Sequence, residues 1–249
     1  MKVLVLQHIA CEPPGEFEEV LRNVGADLHR VELDAGGVLP DWTKFDAIVA
    51  MGGPMSVNDD AKYPWLATEK QLIRDAVTAG KPFWGTCLGV QLLAASLGAR
   101  VFAGEHPEVG VMPVILTDAA RNDPVFEGLP RTLLTFQWHG DTFDLPTGAV
   151  LLAGSSLYPA QAFRWGRVAY GVQFHVEVTP DLAASWGDVP EYRLALEEVL
   201  GPGSLERVIK ELRSNSDLLL GAAREMFQRW LVTCNLIGTS SGAKVHQVT

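Results

Sequence analysis

Residues 82–98 read PFWGTCLGVQLLAASLG, and this stretch decides the fold. The short apolar run at 82–84 is typical of a buried strand. The apolar spacing over 90–97 is typical of a helix, which Gly98 ends. Cys87 stands in the turn between the two, with a glycine close on either side. A strand that turns directly into a helix is the repeating unit of α/β folds with parallel sheets.

The same alternation continues on the N-terminal side of this stretch. Apolar runs and helical spacing there predict strands at 3–6, 28–33 and 47–51 and helices at 17–24 and 65–77. Right-handed crossovers of this kind place helices on both faces of a mostly parallel central sheet. Since ligands of such sheets bind at the carboxyl ends of the strands, the chemistry is expected where the predicted strands end.

The pattern changes after Gly98 to short strands separated by turns. We interpret these as antiparallel additions and the last strands of the sheet, at 111–116, 133–138, 150–153, 162–165 and 168–174. A helical stretch follows at 182–200, and Pro190 interrupts it. The predicted chain is therefore α/β over most of its length and helical at its end.

The C-terminal residues predict an appended helical part. Residues 201–203 (Gly-Pro-Gly) are the clearest linker candidate, and 205–236 form a long amphipathic helical stretch that we predict in two pieces. Residues from Gly238 onward are expected to be a frayed tail. The predicted organisation is a main domain at 1–200 and a helical C-terminal extension at 201–249.

The composition bounds the class of protein. Acidic residues number 30 against 20 basic ones, and the net charge of −10 disfavours nucleic acid and anionic membranes as partners. No apolar run approaches the roughly 20 residues of a membrane span, and the N-terminus lacks a signal-peptide pattern. The three cysteines, Cys11, Cys87 and Cys234, form no CxxC and indicate free thiols in a reducing, cytoplasmic compartment. No nucleotide or metal motif is present, so neither a cofactor nor a metal is expected.

The run Gly85-Thr86-Cys87-Leu88-Gly89 places a cysteine where a strand ends and a helix begins. This is the arrangement of a nucleophile elbow, in which close glycines make room for a strained turn. The helix start is expected to favour the thiolate and lower the pKa of the thiol. The Leu88 amide is expected to point where an oxyanion would develop. Taken alone, the run fits a buried packing cysteine equally well.

A thiol nucleophile usually needs a base, and the base needs a group that orients it. Among the six histidines, His175 follows the predicted strand at 168–174, and Glu177 lies on the same side of an extended chain. His139 is a rival, because a glycine follows it and Asp141 stands two residues on. Local spacing does not separate these two histidines.

A second predicted strand end carries the turn Gly52-Gly53-Pro54. Two adjacent glycines let the backbone approach a ligand closely and present amides towards it. Taken alone, these three residues also fit an ordinary tight turn.

Four motifs, in their order along the chain, resemble the class I (triad-type) glutamine amidotransferases. They read MGGPMSV at 51–57, GTCLGVQLLA at 85–94, WHGD at 138–141 and GVQFHVE at 171–177. The likeness is greatest to free-standing proteins similar to the glutaminase domain of GMP synthase. Four motifs in one order are far more specific than any one of them. The resemblance implies a flavodoxin-like three-layer fold, with a mostly parallel sheet between helices.

The resemblance also implies roles for individual residues. Cys87 matches the nucleophile of the family, His175 its base, and Glu177 the residue that orients the base. Gly53 and Leu88 match the positions whose amides form the oxyanion hole.

Four further positions are implied to bind the substrate. Gly52 belongs to the glycine turn beside the ligand, and Gln91 matches a residue that contacts bound glutamine. Trp138 and His139 match the stretch that holds the amino-acid end of glutamine, which removes His139 from the triad.

The sequence departs from the family pattern at two positions. Val176 stands where relatives commonly have proline between the base and its partner. Valine can keep the same extended backbone, so the pairing is expected to survive with less built-in restraint. Val90 stands where many relatives have histidine, which bears on the details of substrate contact.

The implied activity is hydrolysis of the γ-amide of glutamine through a cysteine γ-glutamyl thioester, with release of ammonia. The alternatives are a stand-alone γ-glutamyl hydrolase or peptidase acting on γ-glutamyl amines or peptides, and a catalytically idle binding protein on the same fold. No synthetase domain is recognisable after residue 200, so a separate synthetase subunit is the expected partner of a glutaminase. The helical stretch at 205–236 most commonly packs on the core of its own domain. An exposed apolar stripe on it would instead mark a subunit interface, as in a homo-oligomer.

Overall fold

We describe residues 1–238 in a computed structural model, so nearly all of the predicted tail lies outside the described residues. These residues form one nine-stranded sheet with helices on both faces. The strands are β1 (Lys2–Gln7), β2 (Asp27–Glu32), β3 (Ala47–Ala50), β4 (Phe83–Thr86), β5 (Val101–Leu116), β6 (Thr132–Phe143), β7 (Ala149–Gly154), β8 (Ala162–Trp165) and β9 (Ala169–Val172). The α-helices are α1 (Glu16–Asn23), α2 (Trp65–Thr78), α3 (Leu88–Ser96), α4 (Pro180–Trp186), α5 (Pro190–Leu200) and α6 (Leu205–Thr233).

The strand order is β2-β1-β3-β4-β9-β8-β7-β5-β6. Strands β2, β1, β3, β4 and β9 run parallel, and the remaining four strands extend the sheet antiparallel. The parallel half has the flavodoxin-like order, which confirms the predicted fold class. Because β3, β4 and β9 are neighbours, their carboxyl ends meet at one edge of the sheet.

The strands of the antiparallel half are longer than the sequence pattern predicts, since β5 begins ten residues before the predicted strand at 111–116. Strands β5 and β6 form a long antiparallel pair whose register shifts between Ala103 and Glu108. Strand β6 also carries Phe136, which forms an isolated antiparallel bridge with His175. This bridge ties the chain after β9 to the long antiparallel pair.

The C-terminal helix α6 is one uninterrupted helix of 29 residues, so the prediction of two pieces is wrong. Its buried positions recur at helical spacing along the whole length, from Val208 and Leu212 to Met226 and Trp230. A continuous buried face holds the helix together across Gly221, because tertiary packing outweighs the weak helix propensity of glycine.

The second half of α6 belongs to the main hydrophobic core and not to a separate layer. Phe227 stacks on Phe17 of α1 at 4.6 Å between ring centroids, and it meets Trp84 of β4 edge-on at 5.4 Å. Trp230 lies 5.7 Å from Trp84. The extension therefore supports β4, the strand that leads into Cys87. Within residues 1–238 we find no helix that combines the length and the apolar character of a membrane span.

Candidate active site

Cys87 occupies a strained turn between β4 and α3. Its backbone has φ 53° and ψ −108°, in the region that L-residues rarely adopt. The two flanking glycines are required by space. A Cβ on Gly85 would lie 2.5 Å from the Gly89 carbonyl oxygen, and one on Gly89 would lie 2.1 Å from the Ala50 carbonyl oxygen. Strand, turn and helix thus pack so closely that only glycine fits on either side of the cysteine.

His175 and Glu177 lie beside this turn as a buried pair. The Nδ1 atom of His175 lies 2.7 Å from Oε1 of Glu177, and each side chain is 1% exposed. Because a carboxylate only accepts, Nδ1 carries the proton and Nε2 is left for the neighbouring Cys87, whose thiol lies close enough to raise the pKa of the ring. The Nε2 atom has no hydrogen-bond partner within the described residues. The imidazole of His175 therefore lies between a thiol that it can serve and a carboxylate that it binds.

Contacts on both sides fix the position of His175. Its backbone N–H and C=O exchange hydrogen bonds of 2.8 Å with Phe136 on β6. The ring packs edge-on against Trp186 of α4, with 4.9 Å between centroids. On the other side, the Glu16 amide at the start of α1 donates to the Glu177 carbonyl over 3.0 Å. His175 and Glu177 are thus held by one strand, β6, and two helices, α1 and α4, which limits the rotation of the imidazole.

Val176 contributes a contact that a proline could not make. Its backbone N–H donates to Oε2 of Glu177 over 3.0 Å, while Oε1 of the same carboxylate faces His175. Proline has no backbone N–H. Where relatives have the rigid ring of proline to restrain the backbone, this chain therefore has a hydrogen bond from Val176 to the Glu177 carboxylate.

The pKa values of Cys87 and His175 are both raised, and for Cys87 this differs from the sequence-based expectation. Burial raises the pKa of the Cys87 thiol, and the neighbouring His175 offsets this only in part. The Leu88 amide at the helix start does lower this pKa, as expected, but desolvation of the sulfur outweighs it, so the net shift is upward and opposite to the expected one. Burial also disfavours the His175 imidazolium, but Glu177 and Cys87 outweigh it and hold the pKa of His175 well above its usual value. A thiolate at Cys87 therefore depends mainly on the imidazolium beside it.

The glycine turn after β3 lies against the same cysteine. A Cβ on Gly53 would meet Leu88 at 3.1 Å and His8 at 2.9 Å, so the turn packs directly on the start of α3. A Cβ on Gly52 would meet the Glu12 carboxylate at 1.9 Å and the His175 ring at 3.4 Å. The lack of a side chain at these positions lets the turn pack closely on its neighbours. Gly53 lines the pocket, and Gly52 lies against the His175 ring.

A pocket of about 310 Å³ opens beside Cys87. Its wall contains the predicted positions Gly53, Gln91, Trp138 and His139, together with residues of α5. The remaining lining residues are Pro54, Met55, Ser56, Asp59, Gly140, Asp141, Glu191, Tyr192 and Ala195. The sequence motifs that resemble substrate-binding positions are thus gathered around the thiol.

Hydrogen bonds hold three of these wall residues in place. The Gln91 amide nitrogen donates to Gln173, whose own amide nitrogen lies 3.6 Å from the Cys87 sulfur. The Trp138 indole N–H donates to the Tyr192 carbonyl over 3.1 Å. His139 uses both ring nitrogens, one with the Asp141 carbonyl at 2.9 Å and one with a glutamate, Glu108, at 3.0 Å. With both nitrogens engaged, His139 does not occupy the place of a base for Cys87.

The structure adds residues that sequence reasoning missed. Glu12 is 3% exposed, lies beside the turn at Gly52, and accepts a hydrogen bond from the Tyr192 hydroxyl of α5. Burial raises the pKa of Glu12, with His175 opposing and Glu177 adding to this effect. No local pattern links Glu12 to Tyr192, because they are 180 residues apart.

A second missed pair lies behind the glycine turn. His8 and Glu69 are completely buried, and Nε2 of His8 lies 2.9 Å from Oε1 of Glu69. A signal for Glu69 was present, since it lies on the helical face that also buries Leu66 and Ile73 in α2. A glutamate on an apolar face needs a buried partner.

Comparison with known proteins assigns the chain to a family. The model of the family described as Glutamine amidotransferase class-I matches residues 17–185. The chain belongs to the class I glutamine amidotransferases. His8, Glu12 and Tyr192 lie outside the matched residues.

Individual relatives agree with this membership. The glutamine amidotransferase-like protein YfeJ of Salmonella typhimurium is 33% identical over 183 residues, which cover 72% of this chain and 77% of that protein. A subunit of the glutamine-hydrolyzing GMP synthase of Pyrococcus abyssi is 30% identical over 175 residues, which cover 64% of this chain and 88% of that protein. The crystal structure of a glutamine amidotransferase from Thermotoga maritima matches with a TM-score of 0.83 at 32% identity, covering 93% of this chain and 98% of that one.

Proposed function

We propose that this protein is a cysteine-dependent glutaminase that hydrolyses the γ-amide of glutamine through a γ-glutamyl thioester on Cys87. The supporting observation is the buried pair of His175 and Glu177 beside Cys87, whose own side chain lines a pocket. An idle binding protein would have no use for a strained cysteine that depends on a histidine for its charge. Gly53 and Leu88 supply the oxyanion donors, as the family resemblance implies.

The first step forms the thioester. The Cys87 thiolate attacks the γ-carbonyl carbon, and the amides of Gly53 and Leu88 stabilise the charge on the oxygen. His175 gives its Nε2 proton to the leaving nitrogen, the carbon–nitrogen bond breaks, and ammonia departs. Glu177 remains ionised and holds the Nδ1 proton throughout.

The second step returns the enzyme to its starting state. Neutral His175 takes a proton from water as the water oxygen attacks the thioester carbonyl. The carbon–sulfur bond then breaks, glutamate leaves, and the thiolate and imidazolium are restored. The same histidine thus acts as an acid and then as a base.

The pocket suits a small substrate with a free amino group. Its volume of about 310 Å³ is at the lower end of small-molecule sites, which hold about 300–1,000 Å³. Asp59, Asp141 and Glu191 bring carboxylates to its wall, and these favour the α-ammonium group of an amino acid. We assign Gln91, Trp138 and His139 to contacts with the amino-acid end.

The chemistry is tested by trapping the nucleophile. A chloroketone analogue of glutamine is added to the purified protein, and peptide mass spectrometry locates the label. We expect the label on Cys87, no ammonia release from glutamine by Cys87→Ala, and normal release by the matched variant Cys234→Ala. Labelling at another residue, or ammonia release by Cys87→Ala, would refute the proposed nucleophile.

A stand-alone γ-glutamyl hydrolase is the second candidate. The observation that favours it is the pocket wall made by α5, through Glu191, Tyr192 and Ala195, because a wall supplied by the chain itself suits turnover without a partner. The relatives that are named as subunits of GMP synthase favour the other case, a glutaminase that hands ammonia to a separate synthetase. Ammonia release from glutamine and from a panel of γ-glutamyl amines distinguishes them. A stand-alone hydrolase turns over γ-glutamyl amines without any partner protein. A glutaminase that serves a separate synthetase is weakly active on glutamine until that synthetase is added.

A further inference from the structure

The histidine of the second buried pair makes contacts that the triad does not require. His8 follows β1 and is 0% exposed, as is its partner Glu69. The Nδ1 atom of His8 lies 3.1 Å from the carbonyl oxygen of Gly52, while Nε2 faces Glu69. The ring also stacks on Trp65, with 5.6 Å between centroids and 20° between planes. His8 is therefore held on every side, with one nitrogen aimed at the glycine turn.

The acceptor on each side fixes where the protons lie. A carbonyl oxygen only accepts, so Nδ1 of His8 must carry a proton and donate to Gly52. The remaining nitrogen shares a proton with Glu69, whose charge favours the protonated ring. This dyad of glutamate and histidine is thus a fixed donor to the Gly52 carbonyl.

That carbonyl belongs to the same peptide group as the Gly53 N–H. Residues 1–238 contain no cis peptide bond, so the C=O and N–H of this group point in opposite directions. Holding the Gly52 carbonyl towards His8 turns the Gly53 N–H away from it, on the side where Gly53 lines the pocket with Cys87. Glycine at both positions would otherwise let this peptide rotate with little steric resistance.

We propose that His8 and Glu69 are positioning residues that lock the Gly52–Gly53 peptide with its N–H facing the oxyanion. The inference rests on the proposed function, in which Gly53 is an oxyanion donor. Preorganisation of such donors is what makes them effective, because no reorientation is needed as the charge develops. His8 acts through the backbone and does not touch the substrate.

Three variants test this inference. Glu69→Gln removes the buried charge, and its amide nitrogen can donate to Nε2 of His8, which leaves the single proton of the neutral ring on Nδ1, facing Gly52. In that background, His8→Phe keeps a stacked ring but removes the donor, whereas His8→Asn can place an amide nitrogen where Nδ1 stood. Because all three contain Glu69→Gln, no variant leaves a lone carboxylate in the core.

Two rates are measured for each protein. The first is glutamine hydrolysis, as kcat and KM. The second is alkylation of Cys87 by iodoacetamide, followed by peptide mass spectrometry. Alkylation needs a reactive thiolate but displaces iodide from a methylene carbon, so no oxyanion forms. We expect the His8→Phe double variant to have a kcat roughly 10²–10³-fold below that of Glu69→Gln, the loss typical of one oxyanion donor. Its alkylation rate should equal that of Glu69→Gln. His8→Asn should recover most of kcat.

Three results would overturn the inference: an unchanged kcat in His8→Phe, a parallel loss of alkylation, or no recovery in His8→Asn. If His8→Phe does not fold, His8→Leu in the same background removes the donor instead, and its kcat and alkylation rate are compared with those of Glu69→Gln. If the wild-type protein does not hydrolyse glutamine, the proposed function fails by itself. Crystal structures of the two double variants then decide the positioning role, since the Gly52 carbonyl should rotate with His8→Phe and stay with His8→Asn.

Discussion

The pairs His175–Glu177 and His8–Glu69 both lie against the Gly52–Gly53 turn and look alike. Both are buried, with nitrogen–oxygen distances of 2.7 and 2.9 Å. They differ in what the other ring nitrogen faces. In His175 it faces a thiol, which can give and take a proton, and in His8 it faces a carbonyl, which can only accept. Under the proposed roles, one pair moves a proton and the other holds a peptide, and the difference between them is the partner of the second ring nitrogen.

The sharpest test of this difference replaces each glutamate by glutamine. Glu177→Gln should lower kcat roughly 10³–10⁴-fold, because the imidazolium loses the charge that stabilises it and the ring can take the wrong tautomer. Glu69→Gln should cost roughly tenfold or less, since its amide nitrogen can donate to Nε2 of His8 and keep the ring proton on Nδ1, facing Gly52. Steady-state kinetics of glutamine hydrolysis measure both.

The two variants are isosteric changes of the same kind, so each is the control for the other. Similar losses of kcat in both would break the distinction between proton transfer and positioning. Equal alkylation rates of Cys87 in Glu177→Gln and wild type would contradict the role of His175 in forming the thiolate.

Glu12 lies between the two pairs, and its hydroxyl partner offers a second test. Removing the hydroxyl with Tyr192→Phe leaves a buried carboxyl without its donor, which should lower the free energy of unfolding by about 1–3 kcal/mol. Urea denaturation measures the change. Adding Glu12→Gln should restore part of the loss, because a neutral amide is less costly to bury. A double-mutant cycle in which the two changes simply add would show that Glu12 and Tyr192 are not coupled.

Val176 tests how finely the His175 pair is held. Val176→Pro removes the N–H that binds Glu177, and we expect kcat to fall about tenfold, equivalent to about 1.4 kcal/mol. Val176→Ala is the control, since it keeps the N–H while losing more apolar bulk than proline does. A larger loss of kcat in Val176→Ala than in Val176→Pro would show that packing, and not the hydrogen bond, orients Glu177.

The free energy of unfolding should depend on pH through the raised pKa values of His8 and His175. Burial lowers their pKa values, but the neighbouring charges outweigh it, so each pKa is raised above the ordinary value of 6.5. A histidine with a raised folded pKa stabilises the fold fully below pH 6.5, and this stabilisation is lost as pH rises through the folded pKa. Urea denaturation between pH 6 and 9 should therefore show falling stability. The double variant His8→Asn with Glu69→Gln should show a shallower slope, and an equal slope would mean that His8 does not contribute.

Much of the fold could be predicted because each signal was local. The apolar runs of β1, β3 and β4 and the glycines around Cys87 are properties of short segments, and His175 and Glu177 are two residues apart. The need for Gly85 follows from one strand turning into one helix, whereas the need for Gly89 depends also on the neighbouring strand β3, through Ala50. Family resemblance added the order of the motifs, which local spacing could not weigh.

The remaining features depend on contacts between distant segments. His8 and Glu69 are 61 residues apart, and Glu12 meets Tyr192 across 180 residues. The pKa of Cys87 could not be predicted from the helix start, because the decisive quantity is the burial of its thiol in the packed molecule. The break predicted within α6 failed for the same reason, since its buried face is continuous only in the packed molecule.

The contact between Glu12 and Tyr192 also bears on how the protein is made. Its two members are separated by 180 residues, so the ribosome must add that length of chain after Glu12 before α5 exists. At about 5–20 residues per second, this takes roughly ten to forty seconds. For much of that interval the emerging chain already contains the thiol but lacks one wall of its pocket. A nascent-chain assay with a thiol-reactive dye should therefore find Cys87 easier to modify before α5 has emerged than after.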